Sequence, residues 1–358
     1  MSPSRRFTWV LLALLMALAA TACAQATPAV TPTALPPTAT PVPPTATAVP
    51  SPTPVPPTAT PPSITVTDGL GRTVTLTQPA QRIVALAPSV AESLFAIGAG
   101  GQVVAREDNT TYPPEAAQLP SVGSLWGGLP LEAILSYEPD LVIVAEITSP
   151  ENVQKMEDAG LTVFRQANPK TFDDLYNNLR DLATLTGHQD EAEAFIAQLQ
   201  ERVQTVTQAL ADVQDEPSVF YELDATDPSN PWTSGPGTFI SYTIQMAKGR
   251  NVGDVLDGEW AQMSIEALVE QDPDIILLAD APYGVTPESV AQRAGWDTLT
   301  AVKEGRVYPF EPSLLSVPGP RLVDGLETLA VLLHPDAFCA ADWASHLNQD
   351  LLAPVCQP

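Results

Sequence analysis

Two segments of the chain repeat four residue types at identical spacing, and two of these types are suited to recognition. In each copy a tryptophan is followed six residues later by a glutamate, and then by a Pro-Asp pair. Every residue of the second copy lies 134 positions after its counterpart, which gives the pairs Trp126 and Trp260, Glu132 and Glu266, and Asp140 and Asp274. Tryptophan offers a broad apolar face to a ligand, whereas glutamate offers a carboxylate to a cationic partner. The repeat therefore indicates binding and docking chemistry, once in each half of the chain.

Each copy of the repeat predicts a loop, a helix and a buried strand. Pro130 and Ser264 are typical of helix starts, and apolar runs follow both Pro-Asp pairs. The two glutamates should therefore lie in the first turns of equivalent helices, and the two tryptophans on the loops before them. Two plainer interpretations stay open. The tryptophans could pack into the core, and the glutamates could only complement the helix dipoles.

Alternating strands and helices on both sides of a helical middle segment predict an α/β fold with two lobes. We expect a hairpin at residues 64–76 and buried strands at 83–87, 141–144, 161–164, 219–221, 275–278 and 307–310. Apolar residues recur at helical spacing from 171 to 213, with a break near Gly187. The predicted boundaries are an N-terminal lobe at 63–170, a linker with a long backbone helix at 171–215, and a C-terminal lobe at 216–358.

The first helix of the N-terminal lobe carries a recognisable local pattern. Ser89 and Glu92 are spaced three residues apart directly after an apolar strand. This spacing is typical of a capping box, in which each side chain binds the backbone N–H of the other residue. We therefore expect Glu92 to cap the helix.

Residues 1–23 have the features of a lipoprotein signal peptide. Arg5 and Arg6 precede an apolar stretch that is short for a membrane span, and Ala20-Thr21-Ala22-Cys23 resembles a bacterial lipobox. We expect Cys23 to be acylated and to anchor an exported protein to the outer face of the cytoplasmic membrane. An ordinary signal peptide that is cut near Ala22 is the alternative.

The chain after the predicted signal peptide contains a low-complexity segment and two further cysteines. Residues 24–62 are rich in Pro, Thr, Ala and Val, and therefore predict an extended, disordered stalk with a reach on the order of 120 Å. Cys339 and Cys356 are the other two cysteines. In an oxidising compartment two such thiols usually pair, so we expect a disulfide that fastens the C-terminal tail.

Composition and motifs exclude several other classes of protein. With 42 acidic and 16 basic residues, the net charge of −26 repels nucleic acid. The three histidines, at positions 188, 334 and 346, are too scattered for a metal site. The sequence has no nucleophile elbow, phosphate loop or metalloprotease helix, which argues against an enzyme. A surface adhesin or scaffold would suit the stalk and anchor, but it does not explain the duplicated tryptophan and glutamate.

Residues 64–335 resemble the helical-backbone class of periplasmic binding proteins, which serve ABC importers of vitamin B12, ferric siderophores and haem. The resemblance rests on residues 82–89, 92–98, 112–114, 131–135 and 318–322. It implies two Rossmann-like lobes that are joined by one long rigid helix, with the ligand cleft between them. It also implies a monomer that delivers its ligand to a permease dimer with ATPase subunits. Glu132 and Glu266 match the paired glutamates that dock onto permease arginines in this class.

The vitamin B12-binding branch of the class gives the best match around the repeat. Trp126 and Trp260 match its two tryptophans that face the corrin ring. Trp232 and Tyr112 complete the expected ligand-binding set, with a purely structural role as the alternative for Tyr112. We therefore expect a corrinoid ligand, and neither a resident cofactor nor a metal. A ferric siderophore or haem is the alternative, although such anionic ligands would favour a more basic cleft.

Overall fold

The computed structural model describes residues 63–339. The predicted signal peptide at 1–23 with its lipidation site at Cys23, the predicted stalk at 24–62 and Cys356 lie outside the described residues, as does the side chain of Cys339. The predicted anchor and disulfide therefore stay predictions. Within residues 63–339, none of the helices combines the length and the apolar character needed to span a membrane.

The described chain begins with the predicted hairpin. Strands β1 (Ile64–Thr67) and β2 (Thr73–Leu76) pair antiparallel, with Val66 opposite Val74. Both valines face the core while their neighbours are exposed, which is the alternation expected of a half-buried strand. At the turn, the backbone N–H of Gly69 donates to the carbonyl of Arg165, so the hairpin is attached to the sheet of the first lobe.

A four-stranded parallel sheet with the order β4-β3-β5-β6 forms the N-terminal lobe. Its strands are β3 (Ile83–Ala85), β4 (Val103–Arg106), β5 (Leu141–Ala145) and β6 (Val163–Gln166). Its helices are α1 (Pro88–Ala96), α2 (Pro114–Ala117), α3 (Leu131–Ser136) and α4 (Pro150–Asp158), with 3-10 turns at Ala99–Gln102 and Leu125–Gly127. Every residue of β5 is buried, because helices cover both faces of a parallel sheet.

Two consecutive helices connect the lobes. Helix α5 (Phe172–Thr186) begins with a capping box between Thr171 and Asp174 and ends at Gly187, whose φ of 83° suits glycine. Helix α6 (Gln189–Ala209) has 21 residues and is therefore about 32 Å long. Its buried side chains are Ala192, Ile196, Leu199 and Val206, which confirms the predicted apolar face.

The C-terminal lobe repeats the topology of the first lobe. Its strands are β7 (Ser218–Glu222), β8 (Trp232–Ser234), β9 (Arg250–Asn251), β10 (Trp260–Gln262), β11 (Ile275–Leu278) and β12 (Val307–Pro309). Its helices are α7 (Phe239–Met246), α8 (Ile265–Gln271), α9 (Pro287–Val290), α10 (Thr300–Lys303), α11 (Leu322–Leu333) and α12 (Pro335–Cys339). Four shorter 3-10 turns are at Val252–Val255, Ala281–Tyr283, Trp296–Thr298 and Pro312–Leu314. The sheet order β9-β7-β11-β12 matches β4-β3-β5-β6 strand for strand.

The duplicated aspartates hold equivalent strands in place. Asp140 accepts hydrogen bonds from the backbone N–H groups of Gln81 and Arg82, just before β3. Asp274 accepts from the backbone N–H and the hydroxyl of Ser218, at the start of β7. The aspartate of the repeat is therefore explained by the fold, whereas its tryptophan and glutamate are not.

The predicted capping box at α1 is wrong. Helix α1 begins at Pro88, its N-cap is Ala87, and no side chain caps it. Glu92 is instead buried and accepts hydrogen bonds from the backbone N–H and the Nε of Arg321, at 3.0 and 2.7 Å. Burial raises the pKa of the Glu92 carboxyl, while the arginine opposes that rise. A buried ion pair between the lobes therefore replaces the local cap.

Candidate functional site

A cavity of about 730 Å³ lies where the two lobes meet. On the N-terminal side its wall is formed by the segments after β3, β5 and β6, together with Trp126. On the C-terminal side it is formed by Leu223 after β7, Phe239, Trp260 and residues 316–318. Open α/β sheets bind ligands at the carboxyl ends of their strands, and these segments follow such ends. The volume is also within the range of roughly 300–1,000 Å³ that is usual for ligand sites.

Trp126 is presented to this cavity by a turn that is fixed on both sides. The neighbouring Leu125 and Leu129 pack against the core of the lobe, and the hydroxyl of Ser124 accepts from the backbone N–H of Trp126. The indole itself is 80% exposed. This exposure excludes the core-packing alternative for Trp126, because a core residue is buried.

Trp260 reaches the same cavity from the other lobe, but on a strand and not on the predicted loop. It begins β10, which pairs antiparallel with β8 so that Trp260 lies opposite Ser234. Its ring packs against Phe239 with 5.7 Å between ring centroids, and the residue is still 41% exposed. A Cβ on Gly235 would lie 2.0 Å from the carbonyl oxygen of Gly258. The backbone segments at Gly235 and Gly258 therefore approach so closely that position 235 requires glycine.

The other two predicted ligand residues are placed differently. Trp232 is partly exposed and lies on the same face of the β8–β10 ribbon as Trp260, but it does not line the cavity. Tyr112 does not line this cavity. Its ring instead packs against the guanidinium of Arg321, whose Cζ lies 4.1 Å from the ring centroid. It lines a second cavity of about 540 Å³, next to Glu92.

The polar residues of the cavity wall were not among the predicted ligand residues, and Arg165 is the basic one among those described. Arg165, near the end of β6, lines the cavity although it is only 8% exposed. Its Nε donates to the carbonyl of Thr148 at 2.9 Å, and its Nη2 donates to the carbonyl of Glu146. A basic residue that ends an apolar strand is the signal that could have identified it.

Both acids among the described residues of the cavity wall already have hydrogen-bond partners within the protein. A carboxylate oxygen of Glu146 accepts from the backbone N–H of Asn168 at 2.6 Å. Glu259 accepts from Lys170 at 2.5 Å, and this exposed ion pair joins the start of α5 to the residue before Trp260. The wall thus combines aromatic and apolar surface with a few polar groups, which is typical of a small-molecule site.

A buried acid, Glu222, directly precedes the cavity residue Leu223 in the chain. Burial raises the pKa of Glu222 to about 7, although both Nη atoms of Arg293 donate to its carboxylate at 2.6 and 2.9 Å. The guanidinium of Arg293 also stacks on Trp296 at 4.6 Å. This cluster holds the end of β7, next to the cavity residue Leu223.

Glu132 and Glu266 occupy equivalent and accessible positions. Each is the second residue of its helix, α3 or α8, and each is exposed. Within the part of the chain that the structure describes, neither carboxylate accepts a hydrogen bond or forms an ion pair. The structure therefore presents an exposed, unpaired acid at the same position of each lobe, six residues after each cavity tryptophan.

Among residues 63–339, His, Cys, Asp and Glu side chains form no group of three or more that could hold a metal ion. The site instead consists of an apolar cavity between two lobes of the same topology, with an exposed indole from each lobe. Fold and site together define a two-lobed solute-binding protein.

Comparisons with known proteins agree with this class. Residues 83–314 match the family described as "Periplasmic binding protein". An uncharacterized ABC transporter substrate-binding lipoprotein of Bacillus subtilis strain 168, YvrC, is 31% identical over 77% of this chain and 87% of its own length. The chain belongs to the periplasmic binding protein family. It is a substrate-binding protein of the ABC-transporter type, as the resemblance in its motifs predicted.

Two further proteins carry ligand names. A "Cobalamin-binding protein" of Halobacterium salinarum is 29% identical over 76% of this chain and 74% of its own length. The crystal structure of the periplasmic heme-binding protein RhuT from Roseiflexus sp. RS-1, in apo form, superposes with a TM-score of 0.64 at 26% identity. That superposition covers 72% of this chain and 99% of RhuT. The two-lobed α/β fold that the sequence predicted is thereby confirmed.

Proposed function

We propose that this protein is the lipid-anchored capture subunit of an ABC importer and that it binds a corrinoid between its lobes. One observation carries the proposal: Trp126 and Trp260, at equivalent positions of the two lobes, expose their indoles to a single cavity. A corrin ring is broad and has two faces, so an indole from each lobe can cover one face by dispersion contact. The cobalamin-binding relative from Halobacterium salinarum supports this choice of ligand.

Haem is the main competitor, since RhuT binds haem and shares the fold. Haem proteins usually supply an axial ligand to the iron from a His, Cys, Met or Tyr side chain. Among the described residues that line the cavity there is no side chain of these four types. A corrinoid can bring axial ligands of its own to its cobalt, so this wall suits a corrinoid better.

Anionic siderophores suit the wall less well. A ligand with several negative charges needs a basic cleft. Within the described chain, the cavity wall carries one arginine, Arg165, against two acids, Glu146 and Glu259. We therefore place ferric siderophores behind both corrinoids and haem.

The same proposal assigns Glu132 and Glu266 to the permease. Dipole complementarity explains an acid in a first helical turn, but it does not require one at the same position of both lobes. Two exposed acids, one on each lobe, can make a two-point contact with basic residues of a symmetric permease dimer. Cys23 would hold the protein at the membrane through the stalk at 24–62.

Calorimetric titration of the mature chain with cobalamin, haem and a ferric catecholate siderophore tests the proposed ligand. We expect cobalamin to bind at least tenfold more tightly than either of the other two. Tighter binding of haem or of the siderophore would contradict the corrinoid assignment. Failure of all three to bind would contradict the whole class of ligand.

A further inference from the structure

The ligand cavity holds a buried cation that the fold itself does not neutralise. Arg165 is 8% exposed, and within residues 63–339 no carboxylate lies within ion-pair distance of its guanidinium. Buried charges are normally paired, because an unpaired one loses its hydration without compensation. An unpaired arginine in the wall of a binding cavity therefore indicates a partner that arrives with the ligand.

The guanidinium of Arg165 is held ready for such a partner. The carbonyls of Thr148 and Glu146 accept from its Nε and Nη2, and they fix the plane of the group. Its Nη1 has no acceptor in the described part of the chain. A planar group with a fixed orientation and a free donor edge suits carboxylate and phosphate oxygens.

A second donor group lines the same wall. Ser89 lies in the first turn of the nine-residue helix α1, is 3% exposed, and reaches the cavity together with Ala87 and Pro88. The N–H groups of a first helical turn have no acceptor within the helix. Ala87 supplies no side chain to cap them. A helix start of this kind favours a negatively charged group.

We propose that Arg165, Ser89 and the start of α1 form a subsite for an anionic oxygen group on the periphery of the bound ligand. The proposal rests on the proposed function, since it needs a ligand in the Trp126–Trp260 cavity. On a corrinoid the anionic group is the phosphodiester of the nucleotide loop. On haem it is a propionate carboxylate.

Matched ligand pairs on the full mature chain test this subsite. Cobinamide has the corrin ring but lacks the phosphodiester, and haem dimethyl ester lacks the free carboxylates. We expect calorimetry to show that the wild-type protein prefers cobalamin over cobinamide by at least tenfold. In Arg165→Gln this preference should fall to within twofold, with cobinamide affinity retained. Arg180→Gln, on the exposed outer side of α5, removes the same charge and should leave the preference intact.

Other outcomes separate the subsite from the corrinoid assignment. If only the porphyrins bind and Arg165→Gln abolishes a preference for haem over its ester, the corrinoid function fails and the subsite stands. Equal weakening of both members of a pair would show that Arg165 only supports the loop at 146–148, and would overturn the subsite. Ser89→Ala leaves the two carbonyl bonds of Arg165 untouched and should reduce the preference by about threefold. An unchanged preference in both variants would also overturn it.

Discussion

Replacing Glu132 and Glu266 together by lysine should abolish ligand delivery to the permease while leaving ligand affinity unchanged. Both side chains are exposed and unpaired within the described chain, so the exchange removes no contact that supports the cavity. If both acids meet basic residues of the permease, the reversal places like charges together at both ends of the interface. Such contacts cost several kcal/mol. Uptake into proteoliposomes that contain the transporter and its ATPase measures the effect, and calorimetry measures ligand affinity.

The chain offers a closely matched control for this charge reversal. Glu151 in α4 and Glu288 in α9 are also exposed acids at the second position of a helix, one on each lobe. The double variant Glu151→Lys and Glu288→Lys changes the net charge by the same amount at the same helix position. It also breaks the ion pair between Glu151 and Lys155, which is exposed and contributes little. We expect this control to support uptake at the wild-type rate. Wild-type uptake with the Glu132 and Glu266 reversals, or equal loss in the control, would contradict docking through these two positions.

Replacing Trp126 by alanine should weaken ligand binding at least tenfold with almost no change in the melting temperature. The indole is 80% exposed in the free protein, so its removal costs little packing. A tenfold loss of affinity corresponds to about 1.4 kcal/mol, which is reasonable for the loss of one aromatic face against a macrocycle. Calorimetric titration with cobalamin and thermal unfolding of the same samples provide the two readouts.

Trp260→Ala should show the same loss of affinity with a measurable loss of stability. Its ring packs on Phe239 at 5.7 Å, and a contact of this kind contributes about 1 kcal/mol. Tyr283→Ala is the control, because Tyr283 is 87% exposed and does not line the cavity. It should change neither readout. Normal affinity in Trp126→Ala would show that this indole does not face the ligand.

Local patterns in the sequence were sufficient to predict the main elements of the fold. Strands buried on both faces are continuous apolar runs, and such runs locate β3, β5, β7 and β11 directly. The register of the repeat also placed both glutamates at the same position of equivalent helices. These features depend on neighbours along the chain, which is why local patterns were sufficient.

The errors share a different physical origin. The capping pattern of Ser89 and Glu92 failed because Arg321, which lies 229 residues away from Glu92, binds that carboxylate instead. Trp260 lies on a strand because β8, about thirty residues earlier, supplies the hydrogen-bonding partner. Both contacts are long-range, and local patterns do not encode them.

Arg165 shows a limit of reasoning from composition. Anionic ligands favour a basic cleft, and among the described residues the wall of this cavity carries one arginine against two acids. Under the proposed subsite, a buried arginine in the cavity wall acts more strongly on a bound ligand than an exposed acid does, because burial reduces the screening by water. The position of a charged residue in the cavity wall therefore matters more for the proposed ligand contact than the number of charged residues in the chain.

A crystal structure of the mature chain with bound cobalamin tests the central claim most directly, because the described part of the chain also offers a second cavity, next to Tyr112. We predict that the corrin ring lies between the indoles of Trp126 and Trp260, with the phosphodiester near Arg165. Electron density for the ligand in the other cavity, against Tyr112 and Arg321, would contradict this account. So would a ligand held between the lobes without contact to either indole.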